Sequence, residues 1–92
     1  MILSFACEDT GRLFSGKRVA RFEGFRAVAE RKLEMLHRAV SLEDLKAPPR
    51  NRLEKLKDAR RGQWSIRIND QWRVCFRFDK GNAYYVEIVD YH

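Results

Sequence analysis

Two groups of residues in this sequence could do chemistry. One is the run Asp90-Tyr91-His92, which sets a carboxylate, a phenol and an imidazole side by side, next to the terminal carboxylate. The other is Arg67, Arg73 and Arg77, which alternate with apolar neighbours. Together they suit cleavage of RNA through the ribose 2′-OH. That reaction needs a base for the 2′ proton, cations to offset the extra charge on phosphate, and an acid for the leaving 5′ oxygen. Histidine, with an ordinary pKa of about 6.5, can perform either proton step near neutrality. Arginine's planar fork matches phosphate oxygens. The residues alone leave catalysis open, because many chains end in a frayed polar segment.

The charge distribution points the same way. The net charge is +6, and residues 50 to 77 hold nine basic side chains against three acids, so the whole excess lies there. A localised positive excess predicts a polyanion surface, nucleic acid first. A solvated basic face with no partner is the competing reading. Cys7 and Cys75 form no CxxC or Cys/His cluster, and His37 and His92 lack ligand spacing, so neither a metal nor a cofactor is expected. The two cysteines read as partly buried free thiols rather than a disulfide. No run of 18 apolar residues is present and the first residues lack a signal-peptide pattern, so no membrane association and a cytoplasmic location are expected.

Certain elements must position these side chains. Met1 to Phe5 reads as a short first strand, and residues 9 to 15 as a short helix broken at Gly16-Lys17. Phe22, Phe25, Ala29, Leu33, Leu36 and Val40 predict an amphipathic helix over 22–40. Its other face carries Arg26, Glu30, Arg31, Glu34 and Arg38, and His37 within it reads as structural. Ser41 to Asp44 has the form of a helix-start box, and Pro48-Pro49 ends that segment.

Beyond Leu53 the period becomes two. Trp64, Ile66 and Ile68, then Trp72, Val74, Phe76 and Phe78, then Tyr84, Val86 and Ile88 share an apolar face, with turns at Asn69-Asp70 and Asp79 to Asn82. The fold class is α+β in a single domain over 1–92: N-terminal helices packed on one face of an antiparallel sheet. Arg67, Arg73 and Arg77 then project from the opposite face, with Glu87 and Asp70 as candidate ion-pair partners. Parity places Trp64 and Trp72 in the core. Asp90 and His92 would follow Ile88 inward, so the chain is expected to bend away there and bring His92 beside Arg67, Arg73 and Tyr91.

The stretches Asn51 to Glu54, Gly62 to Arg67, Asn69 to Arg73 and Val86 to His92, with Met1 to Phe5 and Ala29 to Leu36, resemble the HigB toxins of the RelE superfamily. The resemblance covers essentially the whole chain. It implies a RelE-like fold and ribosome-dependent cleavage of mRNA in the A site. It also implies restraint by a HigA-type helix-turn-helix antitoxin, with operator DNA met only through that complex. Asp90, Tyr91 and His92 would be catalytic, with Arg73 among the catalytic groups and Arg67 and Lys57 on the RNA. Arg52 and Lys55 lie in the same basic stretch as Lys57 and are RNA-binding candidates with it, as is Arg77 on the sheet. Where some HigB proteins carry a catalytic histidine this chain has Glu54, a carboxylate able to act as a base or to orient one, but also to repel phosphate. Two other functions fit the same features: a catalytically silent RNA- or ribosome-binding module, and a gyrase poison of the ParE kind.

Overall fold

The computed structural model describes residues 1–91. Four strands form an antiparallel meander in sequence order, β1 Glu54–Lys55, β2 Trp64–Arg67, β3 Trp72–Asp79 and β4 Asn82–Asp90. Two helices, α1 Glu8–Phe14 and α2 Arg26–Arg38, close one face. The first residues run alongside β4 in parallel, with bridges Ile2 to Ala83 and Phe5 to Val86. The expected α+β layering is therefore present. Among the described residues, no helix is long and apolar enough to cross a membrane.

The long helix is shorter than its periodicity predicts, at both ends. Ala20–Phe25 is a 3-10 turn. Residues three apart share a face in either kind of helix, so the step from Phe22 to Phe25 does not tell the two apart. At the other end Ala39 turns extended (φ −65°, ψ 133°). The backbone N–H groups of Val40 and Ser41 then donate to Asp44 Oδ2, at 2.9 and 3.3 Å. This is the expected box at Ser41 to Asp44, and it draws Val40 off the helix and leaves it 75% exposed rather than in the core.

The core between helices and sheet holds Leu13, Phe22, Ala29, Leu33, Leu36, Ile66, Val74, Phe76, Val86 and Ile88, all essentially buried. Trp64 and Trp72 are half-buried against it, as parity predicts. Trp72 meets Phe25 and Phe22 with ring centroids 5.0 and 5.9 Å apart. His37 is structural: its Nδ1 accepts the Ile2 N–H at 3.1 Å and its ring packs on Phe14.

Tyr84 departs from the predicted core face. Cys75 pairs with Glu87 but Arg77 pairs with Tyr84, so β4 carries one extra residue there. Such a bulge flips the parity on one side of it. The extra residue is Tyr85, at φ +54°, whose N–H is taken by Ser4 Oγ at 2.8 Å. Ala83 fills the core position instead, and Tyr84 shares the outer face with Arg77.

Candidate active site

The register sets out the outer face row by row. Arg67 on β2 lies directly opposite Arg73 on β3, which lies opposite Val89 on β4. One row along are Glu54, Ser65, Cys75 and Glu87, each paired with the next. Arg77 and Tyr84 stand a row further on. The three arginines share the face that the helices leave, as alternation predicts.

That face is not uniformly open, contrary to expectation. Ser65 and Cys75 on it are fully buried, and Leu56 is nearly so. The connection from β1 to β2 folds across them. Arg60 in this connection meets Glu87 on β4 at 3.4 Å, and the Arg61 carbonyl accepts from the Arg77 guanidinium at 3.4 Å. Gly62, at φ +90°, lies so close beneath Arg77 that a Cβ there would stand 2.5 Å from its Nη1. Burial raises the Cys75 thiol pKa and Glu87 adds to the rise, while Arg60 and Arg73 oppose it. Both cysteines are free thiols, Cys7 half-buried and Cys75 buried.

The other end of the face holds a cleft of about 410 Å³ lined by Glu54, Lys55, Leu56, Lys57, Asp58 and Tyr91. Tyr91 reaches it because the chain leaves the sheet after Asp90. β4 stays regular through Asp90, one residue further than expected, with Asp90 paired to Trp72. Two hydrogen bonds from the β2–β3 turn fix the departure. The Gln71 side chain donates to Asp90 Oδ2 at 3.0 Å, and the Gln71 carbonyl accepts the Tyr91 N–H at 2.6 Å. That turn is itself held by Asn69 Oδ1, which accepts from the backbone N–H of Gln71 and of Trp72, both at 2.8 Å.

The Arg73 guanidinium lies 5.4 Å from the Tyr91 ring centroid, in cation–π range. One of its nitrogens donates to the Arg52 carbonyl at 2.6 Å. Arg52 adopts a left-handed conformation (φ 45°), which turns that carbonyl toward β3. No carboxylate pairs with Arg73 among the described residues, and its buried Nε has no hydrogen-bond partner there. Arg67, by contrast, is ion-paired to Asp70, an exposed residue of the turn. Glu87 serves Arg60 and not the three sheet arginines.

Of the residues singled out in the sequence, the fold thus brings Tyr91, Arg73, Glu54, Lys55 and Lys57 together, with Arg67 beside Arg73 and Arg52 contributing its carbonyl. Asp90 stands at the rim beside Gln71. Lys55 also sits 6.0 Å from the Trp64 ring centroid. Arg77 is kept apart, a row beyond buried Cys75. His92, expected beside Arg73, lies outside the described residues. Gln71 and Arg60 were not singled out by the sequence. Nothing in a glutamine at a turn, or in one arginine within a basic stretch, marks the partners they take.

Helices on one face of an antiparallel meander, with a cleft of mixed charge on the other, make a fold of the RelE-like class. The chain superposes on the YoeB-YefM complex from Staphylococcus aureus with a TM-score of 0.60 and 19% identity, over 100% of this chain and 95% of that one. At the sequence level residues 15–92 match the RelE-like toxins of type II toxin-antitoxin system HigB, and the chain belongs to that family. Relatives include Toxin HigB-1 of Vibrio cholerae serotype O1, 45% identical over 53 residues, 58% of this chain and 56% of that protein. Endoribonuclease HigB of Proteus vulgaris is 44% identical over 41 residues, 45% of each chain. The matched stretches span about half the length of these relatives.

Proposed function

We propose that the protein is an endoribonuclease that cuts mRNA in the ribosomal A site, and that a helix-turn-helix antitoxin of the HigA type holds it inactive in the cytoplasm. The observation that carries this reading is the Arg73–Tyr91 pair. It is a guanidinium without a carboxylate partner among the described residues, set over an exposed ring that lines a cleft with Glu54 and Lys57. Arg60, under the same face, is by contrast matched by Glu87. Membership of a toxin family and the Proteus relative named as an endoribonuclease support the same class.

In this reading the 2′ oxygen attacks phosphorus and the bond to the 5′ oxygen breaks. Glu54 takes the 2′ proton, and His92, next in sequence to Tyr91, returns a proton to the leaving oxygen. Arg73, with Arg67 beside it, offsets the charge that builds on the phosphoryl oxygens. Tyr91 stacks a base or holds the phosphate through its hydroxyl. The products are a 2′,3′-cyclic phosphate and a 5′-hydroxyl. Lys57, Lys55 and Arg52 hold flanking phosphates, and operator DNA is met only through the antitoxin complex.

Induced expression in bacteria, with primer extension on translated and untranslated messages, tests this. Growth arrest with cuts confined to translated messages is expected. Equal cutting of untranslated RNA would remove the ribosome from the account, and arrest with intact messages would replace the nuclease by a binding module or a gyrase poison.

A further inference from the structure

A second cationic site lies beside Arg67, on the helix side. A groove of about 220 Å³ between α2 and the turn at Pro49–Asn51 is lined by Val28, Arg31, Lys32, Arg50, Arg67 and Ile68. Four of the six are cationic and none is acidic. Helix α2 elsewhere pairs its basic residues: Arg26 with Glu30 at 3.3 Å, and Arg38 with Glu34 at 2.8 Å. Arg31 and Arg50 have no ion pair among the described residues. Asp70, which pairs with Arg67, has a side chain 99% exposed and is free to swing away.

Lys32 is built into the groove. Its Nζ donates to Asn51 Oδ1 at 2.6 Å. Asn51 is fully buried and fixed from behind, its amide donating to the Leu45 carbonyl at 3.1 Å and to Met35 Sδ at 3.0 Å. The ammonium is thus oriented while its other hydrogens remain available. Burial lowers the Lys32 pKa, and the like charges of Arg31 and Arg67 lower it further. Gathering cations this way opposes folding unless an anion joins them.

We propose that this groove is a second phosphate subsite for single-stranded RNA, carrying the strand past Arg67 and away from the scissile position at Arg73. The inference rests on the reading of the protein as a ribonuclease and extends its substrate path. Arg67 links the two sites. It lines the groove and stands directly opposite Arg73 in the sheet. A polyanion with regularly spaced charges can occupy both at once, which suits an RNA backbone.

The test measures binding of uncleavable 2′-O-methyl RNA to the full chain across a salt series. Arg31 and Arg50 are exposed, so Arg31→Ser/Arg50→Ser should fold as the parent does. For an RNA of about twelve nucleotides, every phosphate that is no longer neutralised should make the slope of log K against log salt shallower by about 0.7. With two cations removed, the slope should therefore fall by about 1.4 in the double variant. Arg31→Lys/Arg50→Lys should keep the parental slope, and a trinucleotide confined to the Arg73 cleft should bind parent and variants alike. An unchanged slope on the longer RNA would overturn the proposal, as would equal losses on both lengths. Variants that lose only antitoxin binding would assign the groove to an acidic protein surface instead. A parent chain that binds no free RNA would overturn this inference while leaving the ribosome-dependent reading to the primer-extension test.

Discussion

Arg73 and Arg77 sit on one strand, on one face, with one residue type, yet their surroundings differ. At the Arg77 end the β1–β2 connection lies across the sheet. Arg60 meets Glu87, the exposed Arg77 donates to the Arg61 carbonyl above Gly62, and Cys75 is buried beneath. At the Arg73 end the guanidinium has a carbonyl and an aromatic ring but no acid among the described residues, and it borders a cleft. Arginine on a sheet face is therefore no mark of a site by itself. Neither has an acid partner among the described residues; what distinguishes the two ends is that the β1–β2 connection lies across the sheet at Arg77, while Arg73 meets the Tyr91 ring beside a cleft.

Three perturbations probe this contrast. His92→Ala should slow RNA cleavage by about 10²–10⁴-fold, the usual worth of positioned proton transfer, with antitoxin binding and melting temperature nearly unchanged. Full growth arrest by this variant at parental expression would move the proton-transfer role to Asp90 or leave it with Glu54 alone. At the Arg77 end, Gly62→Ala forces a side chain into left-handed backbone against Arg77. It should destabilise the fold by about 1–3 kcal/mol, read as a lower denaturation midpoint, while the folded fraction keeps cleaving RNA. A stable variant without cleavage activity would mean the two ends are coupled.

The smallest effect is a pH slope. The thiol pKa of Cys75 is raised in the folded chain, so the folded state holds its proton where the unfolded chain releases it. The stability this gives is fully present below the unfolded-chain value, about 8.5, and is lost as pH rises from there toward the higher folded value. Cys75→Ala should therefore lose less melting temperature than the parent between about pH 8.5 and 10. Parallel curves would mean that the thiol is not sealed.

Alternation by two made the sheet and its arginine face legible, since a pleated strand must separate Ile66 and Val74 from Arg67 and Arg73. The 3.6 period similarly exposed α2 through Ala29, Leu33 and Leu36. Parity misled at Tyr84, because one inserted residue is silent in a pattern that continues correctly at Val86. The helix reading ran on to Val40 because the competing hydrogen bonds come from Asp44, a side chain outside the periodic segment. Asp90, Tyr91, Arg73 and Lys57 were nameable from the family resemblance, but their meeting depends on Gln71 and on the left-handed Arg52. The groove at Arg31, Lys32 and Arg50 was illegible for a simpler reason. Two of its cations lie on the polar face of a helix, where charge is the default, and only the fold shows that no acid faces them there.

In the proposed function the Arg73 end cuts RNA and the Arg77 end does not. Single-turnover cleavage of one ribosome-bound message by Arg73→Ala and Arg77→Ala, each confirmed as folded, tests it most directly. Expected are 5′-hydroxyl products from the parent chain, a loss of about 10²–10³-fold for Arg73→Ala, and a rate within about twofold of the parent for Arg77→Ala. Equal losses in both variants, or parental cleavage by Arg73→Ala, would contradict it.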